Sequence, residues 1–156
     1  MMKFLARLIS TGLGIGYSPI APGTMGALVI AILYWFAPPI TLPVLLGVIL
    51  ILTMLGIPCA TITEREMIRL VGDERGEDPS IVIIDEIIGM LVTLIAIPKT
   101  GKLLLLAFLL FRFFDIVKPF PIRKVEQLPE GWGIVFDDVV AGIYANLVLQ
   151  AGLIIF

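Results

Sequence analysis

Apolar residues fill most of this chain in long runs, and the polar residues gather between them in clusters. The runs read as helices: Thr24–Phe36, stopped by Pro38-Pro39, then Thr41–Cys59, Ser80–Ile97, Leu103–Val117 and Val139–Phe156. Ahead of them, Met1–Ser10 reads as a short amphipathic helix with Lys3 and Arg7 four apart on one face. Thr11–Gly23 is a loop rich in Gly and Pro. Thr61–Val71 is polar but helix-prone and leads into a charged loop at Gly72–Pro79. A spanning helix needs about 20 apolar residues. Thr41–Cys59 meets that length; the other runs are expected to tilt, to embed partly or to borrow polar ends. The expected fold is all-α, one domain over residues 1–156: a polytopic membrane helical bundle with four or five embedded helices, some short or tilted.

Composition agrees with that pattern. Of 156 residues, 59% are hydrophobic and 15% charged, against about 25% charged in soluble domains. The net charge of −2 gives no reason to expect nucleic-acid binding. Met1–Ser10 is short, is interrupted by Arg7 and lacks a small-residue cleavage site, so it does not read as a cleavable signal peptide. Cys59 is the single cysteine and forms no internal disulfide; there is no histidine, which removes phosphohistidine mechanisms. With an odd number of crossings and the N-terminus inside, the inner segments are Met1–Gly23, Thr61–Ser80 and Lys118–Asp138. All basic residues except Lys99 and Lys102 then fall inside or at inner helix ends, as the positive-inside rule requires. Every polar cluster lies at one membrane face, expected to be the cytoplasmic face of the cell (inner) membrane. No feature of the sequence specifies an oligomeric state.

Five acids sit in or beside apolar helices: Asp85, Glu86, Asp115, Asp137 and Asp138. An ionised carboxylate near mid-bilayer costs roughly 2.5–3.5 kcal/mol, so five uncompensated ones oppose insertion by about 10 kcal/mol or more. Divalent cations, basic side chains or interfacial water must offset that. Four clusters carry the chemistry. In Ser18-Pro-Ile-Ala-Pro-Gly-Thr-Met-Gly26, Thr24 reads as a helix N-cap, and helix N-termini favour anions such as phosphate; a plain loop-to-helix start is the alternative. In Asp78–Met90, the adjacent Asp85 and Glu86 offer oxygen donors suited to Mg²⁺, and Gly89 lets a neighbouring helix approach; a solvated acidic helix end is the alternative. Arg112, Asp115 and Lys118 recur every three residues on one helix face, either as metal ligand and phosphate partners or as a structural ion-pair ladder. Lys118-Pro119 ends that helix and sets Lys118, Arg123 and Lys124 at headgroup level. Asp137-Asp138 opens the last apolar run, with Gly142 repeating the acid-then-glycine spacing; helix capping is the alternative there. Together the clusters point to a Mg²⁺ site with phosphate-binding bases.

In this order the clusters resemble the phosphatidylglycerophosphatase A family. The matching stretches are Ser18–Gly26, Ile81–Gly89, Phe111–Ile122 and Gly133–Gly142. The resemblance implies a Mg²⁺-dependent membrane phosphatase that converts phosphatidylglycerophosphate to phosphatidylglycerol and phosphate, the last step of phosphatidylglycerol synthesis. It implies Asp85, Glu86, Asp115, Asp137 and Asp138 as the acidic site residues, with Arg112 and Lys118 beside them; Thr24 and Arg123 join as further phosphate-binding candidates. Two rivals remain. An ion-coupled transporter or channel would line its pathway with the same acids. A cysteine-dependent lipid phosphatase would use the Cys59-x5-Arg65 spacing, but Glu64 would repel the anion and Thr61–Arg65 reads as helix.

Overall fold

The computed structural model describes residues 2–71 and 81–155, so the expected charged loop at Gly72–Pro79 lies outside the described residues. Every regular element among the described residues is helical. Helix α1 (Met2–Ser10) leads through tight turns and a short 3-10 turn (Ile15–Tyr17) to α2 (Pro22–Phe36). Pro22, with its fixed φ, starts α2 earlier than the apolar run begins. Its cap is Ala21, held in the left-handed region at φ 42°, so Thr24 is the third residue of the helix and not its N-cap.

The second apolar run and the polar stretch after it form one helix, α3 (Leu42–Val71), 30 residues long with Pro58 inside it. The polar end of α3 anchors α1. Ser10 Oγ and Thr63 Oγ1 are 2.8 Å apart, and Arg7 pairs with Glu66 at 2.7 Å. The third run yields only a ten-residue helix, α4 (Ile84–Thr93). It stops because the chain turns over Leu94–Ala96, where Ala96 has φ 56°. The carbonyls of Thr93 and Ile95 accept hydrogen bonds from Asn146 Nδ2 at 2.9 and 2.7 Å. Thr100 caps α5 (Gly101–Val117) by accepting from the Leu103 amide, and Lys118 in the left-handed region ends it before Pro119. After the short α6 (Ile122–Val125), α7 runs from Gly131 to Ile155, beginning eight residues before the apolar run. Gly131 permits this early start: a Cβ there would lie 2.2 Å from the Ile57 carbonyl oxygen of α3, and its amide donates to Thr61 Oγ1 at 3.0 Å.

Helix α4 is the centre of the bundle, packed by α2, α3, α5 and α7. Its residues from Ile88 to Thr93 are all buried. The outer helices invert the usual arrangement, exposing Leu33, Leu50, Ile51, Met54, Leu105 and Leu109. By length and composition, α3 and α7 are the described helices long and apolar enough to cross a membrane. The turn after α2 and the turn before α5 meet at one end of the bundle, where Lys99 Nζ donates to the Ala37 carbonyl. The other end gathers the start of α2, the start of α4, the end of α5 and the first turns of α7.

Helices α4 and α7 cross glycine on glycine. A Cβ on Gly142 would lie 2.4 Å from the Gly89 carbonyl oxygen, and one on Gly89 would lie 2.7 Å from the Asp138 carbonyl oxygen. Gly142→Ala is expected to destabilise the fold by about 1–3 kcal/mol, the usual cost of overpacking, seen as a lower thermal midpoint of the purified protein. Gly47→Ala, which meets nothing within 4 Å, is the matched control and should leave the midpoint unchanged or raise it.

Candidate active site

The glycine crossing fixes what lies one turn away on each helix. Asp85 precedes Gly89 by four residues and Asp138 precedes Gly142 by four, so both carboxylates sit above the crossing on facing sides. Asp85, Glu86 and Asp138 each place a carboxylate oxygen so that all three lie within 4.8 Å of one another. Asp85 and Glu86 occupy the first turn of α4. Asp137 and Asp138 lie two turns inside α7, at 3% and 2% exposure, so the helix-capping alternative for this pair fails. Asp85 Oδ1, Glu86 Oε2 and Asp138 Oδ2 are buried without a hydrogen-bond partner among the described residues. Buried anionic oxygens in this state are costly unless compensated. A hard divalent cation fits such an all-oxygen donor set.

Two cations border the acids. Arg112 forms an ion pair with Asp115, one turn on along α5, and lies 3.8 Å from Glu86 Oε1. Lys118 donates to Asp137 Oδ2 at 2.7 Å and also pairs with Glu126. Burial works against the Lys118 charge, but Asp137 and Glu126 outweigh it and hold the ammonium pKa above its usual value. All of these except Glu126 line a cavity of about 290 Å³. Its wall is completed by Ala21, Pro22 and Gly23 at the start of α2, with Val82 and Ile116. Gly23 faces Glu86 so closely that a Cβ would lie 1.7 Å from Glu86 Oε1. The Gly23 and Thr24 amides belong to the first turn of α2, whose N–H groups have no intrahelical acceptor.

Seven of the nine sequence-predicted site residues therefore meet in one cavity: Asp85, Glu86, Arg112, Asp115, Lys118, Asp137 and Asp138. Thr24 and Arg123 do not line it. Thr24 is one position past the lining residue Gly23, and Arg123 is exposed, its guanidinium donating to the Val117 carbonyl at 3.4 Å. The ion-pair ladder that was the alternative for Arg112, Asp115 and Lys118 stops at Asp115, because Lys118 lies past the helix end and turns to Asp137. Sequence reasoning missed Glu126, Thr93, Asn146 and Gln150. The last three extend the four-residue spacing from the acids and glycines: Asp85, Gly89, Thr93 on α4 and Asp138, Gly142, Asn146, Gln150 on α7. Thr93 Oγ1 donates to the Gly89 carbonyl at 2.9 Å, and Gln150 Nε2 to Asn146 Oδ1 at 2.8 Å. Cys59 is buried within α3, and Arg65 pairs with Glu130. The Cys59–Arg65 segment is thus continuous helix with no loop to wrap a phosphate.

The family model described as phosphatidylglycerophosphatase A matches residues 8–153. The chain belongs to the phosphatidylglycerophosphatase A family. Two relatives carry that name: one from Haemophilus influenzae, 40% identical over 93% of this chain and 86% of its own, and one from Escherichia coli, 36% identical over 96% and 81%. A relative from Bacteroides thetaiotaomicron, 40% identical over 94% of this chain and 92% of its own, is named "Putative phosphatidylinositol-3-phosphatase". No solved structure matches the chain. Family membership makes the chain a phosphatase, which sets aside the transporter and channel alternative.

Gly23→Ala tests the closeness of α2 to Glu86. The added methyl meets a movable carboxylate tip, so the thermal midpoint should hold within about 0.5 kcal/mol, as for substitutions that disturb no core packing. Phosphate release should fall by about 10- to 100-fold, the scale of a 1 Å misplacement in an active site.

Proposed function

We propose that this chain is a Mg²⁺-dependent phosphatidylglycerophosphatase of the bacterial inner membrane. In this reading it hydrolyses phosphatidylglycerophosphate to phosphatidylglycerol and phosphate at the cytoplasmic face. The observation that carries the reading is the meeting, in one cavity, of two held cations with three carboxylates that each keep a buried oxygen without a hydrogen-bond partner among the described residues. The exposed apolar faces of α2, α3, α5 and α7 would lie in the bilayer, with α4 as a half-length helix enclosed by them. That arrangement supports four embedded helices around a buried fifth. Every acid of the site then lies at one membrane surface, within reach of a lipid headgroup.

Asp85, Glu86 and Asp138 would hold the cation, with Asp115 and Asp137 at its margin. When bound, a divalent cation supplies positive charge against the phosphate oxygens and makes water a stronger nucleophile. Arg112, oriented by Asp115, and Lys118, oriented by Asp137 and Glu126, would neutralise the phosphate oxygens where charge is spread in the transition state. The first-turn amides of Gly23 and Thr24 add donors from the opposite wall. In the overall step the water oxygen bonds to phosphorus, the ester P–O bond breaks, and phosphatidylglycerol leaves as the alcohol. A pocket carboxylate takes the proton lost by water, and the leaving oxygen regains one.

The test is phosphate release from phosphatidylglycerophosphate by the purified protein. EDTA should abolish it and Mg²⁺ restore it. Asp85→Asn and Asp138→Asn should each lower kcat/KM by about 100-fold or more, on the scale of losing a transition-state interaction of roughly 3 kcal/mol. Cys59→Ser should leave the rate unchanged. Near-normal turnover in both aspartate variants would defeat the assignment. Phosphatidylinositol 3-phosphate belongs in the same assay, because it is the substrate class in the Bacteroides relative's name; a tenfold preference for it, equal to about 1.4 kcal/mol, would move the substrate reading there.

A further inference from the structure

Helices α2 and α5 line the acidic cavity at one end of their seam and an apolar groove at the other. The groove has a volume of about 210 Å³ and is walled by Leu28, Ile32 and Trp35 of α2 and by Leu104, Leu105 and Phe108 of α5. Helical spacing joins the two sites. On α2 the groove positions step back through Thr24 and Met25 to Ala21, in the cavity wall. On α5 they step forward from Phe108 to Arg112 and Asp115, also in that wall. Each helix thus presents one stripe, apolar toward the far end of the bundle and polar at the site. From Leu28 to Trp35 the groove is about 10 Å long, at 1.5 Å per residue.

We propose that this seam is the acyl-chain subsite: one hydrocarbon chain of the lipid lies between α2 and α5 while its phosphate occupies the acidic cavity. This deepens the phosphatase reading above and rests on it. The occupant is an acyl chain because the groove is continuous in register with a cavity built for a phosphate, and an amphiphile with those two ends matches both. Thr24 sits on the stripe between the cavity and the groove. A second apolar groove between α5 and α7, about 420 Å³, is larger but does not serve the site. Past its last α5 residue, Leu110, the Phe114 ring meets the Tyr144 ring edge-on at 5.6 Å, and Tyr144 Oη donates to the Phe120 carbonyl at 3.1 Å. Those contacts close the seam between that groove and the cavity.

The test fills the groove from its exposed walls. Ile32→Trp and Leu105→Trp should lower kcat/KM for dioleoyl phosphatidylglycerophosphate about tenfold, as for a pocket that loses apolar contact, with the change in KM. Turnover of the dihexanoyl substrate should be retained. Leu106→Trp, in the α5–α7 groove, should leave the long-to-short ratio unchanged. An unchanged ratio in the seam variants, or an equal fall in Leu106→Trp, overturns the proposal. A second readout does not need turnover: the whole protein in nanodiscs is photolabelled with phosphatidylglycerophosphate carrying a diazirine in mid-chain. Adducts should fall on Leu28, Ile32 and Phe108 and be suppressed by unlabelled long-chain substrate. Adducts confined to the α5–α7 groove, or insensitive to competitor as for bulk lipid, reject the subsite. Absent phosphate release from every substrate with specific labelling of the seam would strike the phosphatase reading and leave the groove standing.

Discussion

Where α4 and α7 cross, backbone touches backbone, and the rest of the site depends on that contact. Gly89 and Gly142 leave no side chain between the helices, so Asp85 and Asp138, one turn away on each, are brought within reach of a common ion. A single methyl at either position would spread the helices and part the carboxylates. On the other side of the crossing the same two helix faces carry Thr93 and Asn146. Asn146 takes up the carbonyls at which α4 stops. A ten-residue helix ending inside a bundle leaves buried carbonyls that cost roughly 1–3 kcal/mol each if unmet. The crossing therefore positions the acids above it and closes the hydrogen bonding below it.

Charge in the cavity is divided between two kinds of residue. Asp115, Asp137 and Glu126 are engaged by Arg112 and Lys118, and their effect is to fix where those two cations sit. Asp85, Glu86 and Asp138 each keep one buried oxygen without a hydrogen-bond partner among the described residues, although Glu86 also lies 3.8 Å from Arg112. Buried, partnerless anions destabilise a fold on their own, and functional sites are where proteins retain such groups. The division gives a physical basis for the proposed separation of acids that would hold a cation from acids that position the bases, which residue type alone does not provide.

The long axis of the bundle carries a second division. Polar side chains collect at the end where α2 and α4 begin and α5 finishes, while α2 and α5 continue away from it as apolar surface. A phosphatase acting on a lipid needs this arrangement, because the reacting phosphate and the hydrocarbon require opposite environments within one molecule's length. The seam between α2 and α5 provides both in register, and the aromatic contact of Phe114 with Tyr144 withholds it from the neighbouring seam.

Much of this was legible in the sequence. Long apolar runs pointed to an all-helical fold, Pro119 after Lys118 marked the end of α5, and acids embedded in apolar runs marked residues that the fold gathers in one cavity, since charge in such runs needs a reason to be there. The repeated acid-then-glycine spacing foretold the helix approach. Other features depend on a local proline or on contacts between segments distant in the chain. Pro22 moved the start of α2 and displaced Thr24 from the cap. Gly131, seated on the Ile57 carbonyl, drew the start of α7 forward and buried Asp137 and Asp138 inside a helix. Asn146 met the carbonyls of the turn that ends α4 early, and Asp137 drew Lys118 off the Arg112 face. Local pattern determines which residues are helical and which polar groups are out of place in an apolar run. Only tertiary structure decides which of them share a cavity, because that is set by how closely two backbones can approach.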